Sequence, residues 1–312
     1  MLLQEAVRWL RVRPEGTYVD ATLGTGGHAL EIVRRLTTGT LIGLDRDPQA
    51  LEIARERLKS ELKERYDQRV ILVHSNFSKI DDVARQRKFP KFDGVVADLG
   101  VSTLELDSPQ RGFSFRSAGP LDMRMNPDEP QTAAEIVNHW PERQLADLLY
   151  LKGEERDSHR IARAIVRARP IRDTAHLATV VAGARKARGR QKLHPATKTF
   201  LALRTAVNRE SEELEQFLSR APATLAFGAR WVVLSYHSLE DRMVKRFFQV
   251  LERKGGFRVL TRRVETPGED EIRANPRARS AKMRVVEKVS EIEPDPDPNG
   301  DPERGPEESS AA

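Results

Sequence analysis

The chain has 312 residues, 38% of them hydrophobic, and no apolar run approaches twenty residues, so no segment reads as a membrane span. It contains no cysteine, which excludes disulfides, thiolate metal sites and cysteine nucleophiles; no other metal-ligand set is read, and no basic stretch leading into an apolar one marks a signal peptide, so a cytoplasmic protein is expected. Residues 291–312 carry a net −7 within a total of +6, leaving +13 on residues 1–290, a surplus that fits a polyanionic partner or mere solubility equally well.

Strand and helix signals alternate over the first hundred residues. Residues 17–22 read as a strand, followed by a glycine-rich turn and a helix through Leu36; residues 40–44 form a second strand. Pro48 then opens a helix whose apolar stripe is Ala50, Leu51, Ala54 and Leu58. Residues 70–73 and 94–99 are a third and a fourth strand. Short, wholly apolar strands between helices indicate a parallel sheet covered on both faces. From about Leu104 to Thr199 the signals are helical. A fifth strand follows at residues 229–235, then a helix around 244–251, and residues 257–260 and 281–289 read as two closing strands. The expectation is one α/β domain with a Rossmann-like seven-stranded sheet, residues 1–104 and 200–290, interrupted by an all-helical insertion, residues 105–199. Residues 291–312, with five prolines and eight acids, read as a disordered acidic tail.

The ends of the first four strands carry the chemistry. Val19-Asp20-Ala21-Thr22-Leu23-Gly24-Thr25-Gly26-Gly27-His28 runs from strand through a glycine turn into a helix, where free amides face a ligand. Gly24, Gly26 and Ala29 also satisfy the dinucleotide pattern, so the turn alone does not choose a cofactor. Asp45 ends strand two, where an acid holds ribose hydroxyls. Three features favour S-adenosylmethionine: Asp20 ahead of the glycines for the amino acid end, Phe77 after strand three for the adenine, and Asp98-Leu99-Gly100-Val101-Ser102 after strand four for the methyl acceptor. Asp20 and Asp98 as helix caps and Phe77 as core are the bland alternatives, acceptable singly but not at four successive strand ends.

Strand five ends in Ser235-Tyr236-His237-Ser238-Leu239-Glu240-Asp241-Arg242, expected beside Asp98. His237 is read as scaffold rather than base, and Ser238 or Asp241 as a cap. The insertion opens with Arg111, Phe113, Phe115 and Arg116. Interleaved arginines and aromatics suit an unpaired base and its phosphates, or a loop whose phenylalanines plug the insertion core. Arg160, Arg163 and Arg167 share a helix face, and Arg185, Lys186, Arg188, Arg190 and Lys192 form a basic run. Together they favour RNA contact over a solvated face.

The absent cysteines also bear on the methylated atom. Carbon-5 of cytosine normally needs an attacking thiolate, and radical routes need cysteine-held iron–sulfur clusters. No lysine is found beside Asp98 or after strand five to complete a ribose-activating set. An exocyclic amine remains, with Asp98, Ser102 and the carbonyls around Gly100 as candidate proton acceptors; the proline-rich motif common after strand four in amine-modifying families is missing.

These stretches, with residues 2–7, 24–28, 45–48, 98–102, 111–115, 119–125, 153–156, 194–197, 237–241 and 275–280, resemble the bacterial 16S ribosomal RNA cytosine-N(4)-methyltransferases, the ribosomal small-subunit methyltransferase H family, from Met1 to about Val289. The resemblance implies a class I S-adenosylmethionine-dependent methyltransferase with a helical substrate domain. Its implied target is a decoding-site cytidine in 16S rRNA of the small ribosomal subunit. By position it implies cofactor contacts at Gly26, Gly27, His28, Asp45, Phe77 and Asp98, and at Glu105, where the family usually has Gln. The family also carries a few residues, including a His, ahead of the segment with which this chain starts. A nicotinamide oxidoreductase and a non-catalytic RNA-binding module are the rival readings.

Overall fold

In the computed structural model, which describes residues 1–185 and 194–291, the apolar runs become seven strands of one sheet. They are β1 (Thr17–Asp20), β2 (Thr40–Asp45), β3 (Val70–His74), β4 (Phe92–Asp98), β5 (Leu225–Ser235), β6 (Phe257–Val259) and β7 (Lys282–Lys288), ordered β3-β2-β1-β4-β5-β7-β6. The first five are parallel, and β7 runs antiparallel to both β5 and β6. Successive strand side chains leave on opposite faces, which builds two cores. Val96, Val232 and Leu234 join one, and Val95, Ala97, Trp231 and Val233 join the other.

Several boundaries differ from expectation. β5 begins at Leu225, four residues before the apolar run suggests, because its pairing with β4 shifts register between Phe92 and Gly94 and Phe227 turns outward. The helix after the glycine turn is Gly27–Val33 and stops short of Leu36. The Pro48–Leu62 helix follows its sequence signals. Asp47 accepts from Gln49 N, proline sits in the first turn, and Ala50, Leu51, Ala54, Leu58 and Leu62 are buried.

Between β4 and β5 there is no strand among the described residues. Five α-helices, Ala133–His139, Glu142–Leu151, Ser158–Arg167, Thr174–Ala184 and Thr197–Val207, pack around a third core. The expected boundary after residue 199 cuts the last of these, yet Phe200, Ala202, Leu203 and Val207 pack into the insertion's core, so that helix belongs to the insertion. Asn208 closes the return: its Oδ1 accepts from Met125 N at 2.8 Å and its Nδ2 donates to Met123 O at 2.7 Å. Of the expected tail only Glu291, paired with Lys288, is among the described residues; 292–312 lie outside them. Among the described residues no helix is long and apolar enough to cross a membrane.

Candidate active site

The carboxyl ends of β1, β2 and β4 and the start of the insertion enclose one cleft. The glycine turn forms its near wall. Gly24 and Gly26 have φ of 51° and 78°, a region other residues rarely enter, and a Cβ at Gly26 would meet Ala54 of the adjacent helix at 3.4 Å. Asp45 fixes this turn. Its Oδ2 accepts from Gly24 N at 2.7 Å and its Oδ1 from Asp47 N at 2.9 Å. Burial raises its pKa while those two amides oppose the rise. Each oxygen keeps a lone pair that a ribose hydroxyl can reach.

Asp20 is placed differently from expectation. It is 1% exposed and lies beneath the cleft rather than on its wall, with Oδ1 accepting from Thr22 N at 3.3 Å and Oδ2 without a hydrogen-bond partner among the described residues. Burial, with the charges of Asp98 and Asp45, pushes its pKa up to about 7. It therefore supports the turn from below. His28 does reach the wall, nearly buried; its Nδ1 is 3.8 Å from Asp98 Oδ2, and burial lowers its pKa so that the ring is neutral. Its Nε2 has no hydrogen-bond partner among the described residues. An orphaned buried nitrogen beside glycine amides and the Asp45 carboxylate fits a polar cofactor. Phe77 lines the cleft, held edge-on by Phe217 with centroids 5.2 Å apart, so its ring is presented in a fixed plane.

Asp98 ends β4. Its amide donates to Thr22 Oγ1 at 2.6 Å, its Oδ1 accepts the Tyr236 hydroxyl, and its Oδ2 lies 3.6 Å from the Met1 ammonium. Burial and the Asp98 charge push the Tyr236 hydroxyl far up, so it stays a donor. The sequence places this polar cluster beside Asp98 without singling out Tyr236; the register, with Asp98 opposite Leu234, brings residue 236 over the end of β4. Gly100 makes room for it, since a Cβ there would come 3.3 Å from the Tyr236 ring.

Ser102 and Glu105 hold each other. Ser102 caps the Thr103–Asp107 helix, accepting from Glu105 N at 3.2 Å, while Glu105 Oε2 accepts from Ser102 N at 2.7 Å. Glu105 lines the cleft at 4% exposure, and burial, then Asp45 and Asp47, push its pKa up to about 7. The Ser102 oxygen is thus engaged as a cap.

Deeper in, Arg204 grips Glu210 with two 2.7 Å hydrogen bonds, and Glu240 accepts from Tyr236 N at 3.0 Å while its Oε1 lies 2.9 Å from His237 Nε2 without hydrogen-bond geometry. Burial raises Glu240's pKa, but His237 and Arg204 outweigh it and hold it below the usual range. Glu210, His237 and Glu240 bring ligand atoms within 4.8 Å of one another, but each is already paired in this network. His237 also caps the Ser238–Arg253 helix, a scaffold position.

The insertion's opening corrects the base-stacking expectation. Arg111 donates to Asp47 Oδ2 at 2.9 Å, to Gln49 Oε1 at 3.1 Å and to the carbonyls of Arg124 and Met125 at 3.0 and 2.9 Å. It bolts the insertion to the sheet domain and has no free fork for a phosphate. Phe113 is buried in the insertion core. Phe115 is half-buried, stacked on His194 at 4.5 Å and edge-on to Phe200 at 5.0 Å. Arginine–aromatic alternation looks the same whether a loop meets solvent or a core, and here it packs. Arg185 is largely covered, donating to Pro195 O at 3.2 Å beside Glu155, while Lys186, Arg188, Arg190 and Lys192 lie outside the described residues. Arg160, Arg163 and Arg167 line a groove with Ala164, Ala168, Gly183 and Ala184.

A seven-stranded sheet with its last strand reversed, glycine turn after β1, acid after β2 and acceptor-side acid after β4 define a class I S-adenosylmethionine-dependent methyltransferase. The chain belongs to the MraW methylase family, which matches residues 1–289. It is 51% identical over 292 residues to the Ribosomal RNA small subunit methyltransferase H of Acidobacterium capsulatum, covering 92% of this chain and 97% of that one. The protein of the same name from Solibacter usitatus is 50% identical over 283 residues, with 91% and 96% covered. Among solved structures, an rRNA methylase from Streptococcus thermophilus aligns at 11% identity with a TM-score of 0.43, over 92% of this chain and 94% of that one. Membership of a methylase family sets aside the nicotinamide and non-catalytic readings.

Proposed function

We propose that this enzyme transfers a methyl group from S-adenosylmethionine to the exocyclic amine of a decoding-site cytidine in 16S rRNA of the small ribosomal subunit, in the cytoplasm. The names of its relatives support an rRNA substrate. The observation that carries the choice of atom is the Asp98–Tyr236 pair at the acceptor side of a chain without cysteine.

S-adenosylmethionine supplies an electrophilic methyl group on a sulfonium. The protein's part is orientation and charge placement. Gly27 and His28 line the amino acid end with Gly26 behind them against Ala54, Asp45 takes the ribose hydroxyls, Phe77 packs on the adenine and Glu105 closes that side. The cytidine amine's lone pair is delocalised into its ring, so a base that withdraws amine hydrogens restores nucleophilicity. Tyr236 holds one Asp98 oxygen, which fixes the carboxylate plane and leaves lone pairs to accept from the amine.

RNA reaches the cleft along the insertion, where Arg160, Arg163 and Arg167, on a floor of small residues, admit a phosphate backbone closely. Of the basic run, Arg185 is held by Pro195 and Glu155, and Lys186, Arg188, Arg190 and Lys192, which lie outside the described residues, are proposed as RNA contacts on their charge alone. The test is nucleoside mass spectrometry after incubating purified protein with S-adenosylmethionine and small ribosomal subunits. N(4)-methylcytidine is expected, and a methyl on carbon-5 or on ribose oxygen would refute the reading.

A further inference from the structure

The chain between β6 and β7 returns to the active site from the far end of the sequence. It forms the Glu269–Ala274 helix and the short Pro276–Ser280 turn of helix, joined at Asn275. Two clamps hold this segment in place. Glu271 Oε1 accepts from Leu2 N at 2.8 Å, and Arg277 grips Asp107 at 2.5 and 3.3 Å, bridging to the start of the insertion. Asn275 lies between the clamps and lines the same cleft as Asp98, Gly100 and Tyr236.

The amide of Asn275 is oriented by its own backbone. Its Oδ1 accepts from Arg277 N at 3.2 Å as the cap of the Pro276–Ser280 turn. That contact uses the acceptor end, so the group left for the cleft is the NH2, a pure donor with two hydrogens. Among the described residues Nδ2 has no hydrogen-bond partner.

A cytosine that offers its amine to Asp98 offers two acceptors next to it, N3 and then O2. Uracil carries a hydrogen on N3 and no amine, and adenine has a C–H where cytosine has O2. A carboxylate facing the amine and a donor-only amide facing the ring edge match the cytosine pattern of donor, acceptor, acceptor. From this geometry we infer that Asn275 is a specificity-determining residue that donates from Nδ2 to N3 and O2 of the target cytosine. The inference rests on the reading of a cytidine amine as the acceptor, and it adds the residue that reads the rest of that edge.

The test uses the full chain, S-adenosylmethionine and small ribosomal subunits. Asn275→Asp and Asn275→Ser each keep an oxygen to accept from Arg277 N and lose the amide donors; Asn275→Ala loses the cap as well. Both cap-keeping variants should lose roughly ten- to a hundredfold in kcat/KM, the worth of one or two hydrogen bonds to a buried partner. Their melting temperature and their calorimetric Kd for S-adenosylmethionine should match the parent. Wild-type kcat/KM in both, or a loss in Asn275→Ala alone, would reduce the residue to a cap and overturn the inference. A loss in Asn275→Asp alone would mean charge repulsion from Asp98 and overturn it equally. Identification of the wild-type product is measured separately: absence of N(4)-methylcytidine there defeats the underlying reading, whereas its presence with unaffected variants defeats only the role of Asn275.

Discussion

The cleft and the helical insertion are built from similar residues, yet they differ in how far local pattern foretells a side chain's fate. At the ends of parallel strands, His28, Asp45, Phe77 and Asp98 converge because a parallel sheet delivers every strand's carboxyl end to one side. In the insertion, Arg111 and Phe113 look like a nucleic-acid-binding pair but serve as a bolt and a core plug. A sheet imposes long-range order through a period of two. A helical insertion closes on itself in ways a local pattern does not encode.

The sharpest way to break that contrast is Phe113→Ala. Removing a buried ring should cost about 3–4 kcal/mol of stability, read as a lowered denaturation midpoint, whereas a base-stacking Phe113 would leave stability intact and lower RNA affinity instead. Asp45→Ala probes the other region. It should weaken S-adenosylmethionine binding by about 2–3 kcal/mol, the loss of charged hydrogen-bond partners, while the sheet persists. Unchanged calorimetric affinity would remove Asp45 from the site.

Glu105 joins the two regions and gives a pH signature. Its folded pKa, about 7, lies above the reference 4.5. An acid raised in this way contributes stability below the unfolded pKa and loses it as pH rises through the folded value. Glu105→Gln keeps the acceptor for Ser102 N and removes the charge. It should therefore stabilise the protein by about 3 kcal/mol at pH 8 and by nearly nothing at pH 4. Identical gains at both pH values would show that the buried charge is not the cause. The smallest effects belong to the groove arginines. Each of Arg160→Gln, Arg163→Gln and Arg167→Gln should lower the slope of log affinity for RNA against log salt by about 0.7–0.9, with melting temperature unmoved. A constant slope would return that groove to ordinary solvated surface.

Much of the fold is legible in the sequence, because strands bounded by glycine, proline and acid are local events. β6 and β7 are legible from their own apolar runs, and the Pro48–Leu62 helix from its cap and stripe. The start of β5 is not, since its first residues pair out of register with β4 and lose the alternation that marks a strand. Within the site, the strand-end residues are legible and the supports are not. Ser102 and Glu105 sit three apart in a recognisable capping box, but what they face depends on the insertion folding back.

By itself the sequence determined the α/β alternation, the positions of the strand ends, the glycine turn and the chemistry excluded by the lack of cysteine. Tertiary structure alone decided that Tyr236 meets Asp98 across 138 residues, that Arg277 reaches Asp107 across 170, and that Arg111 turns inward to Asp47. The physical reason is range. Hydrophobic period and cap chemistry act over a few residues along the chain, whereas the partner of a polar side chain is whichever group the packed elements bring within hydrogen-bond distance.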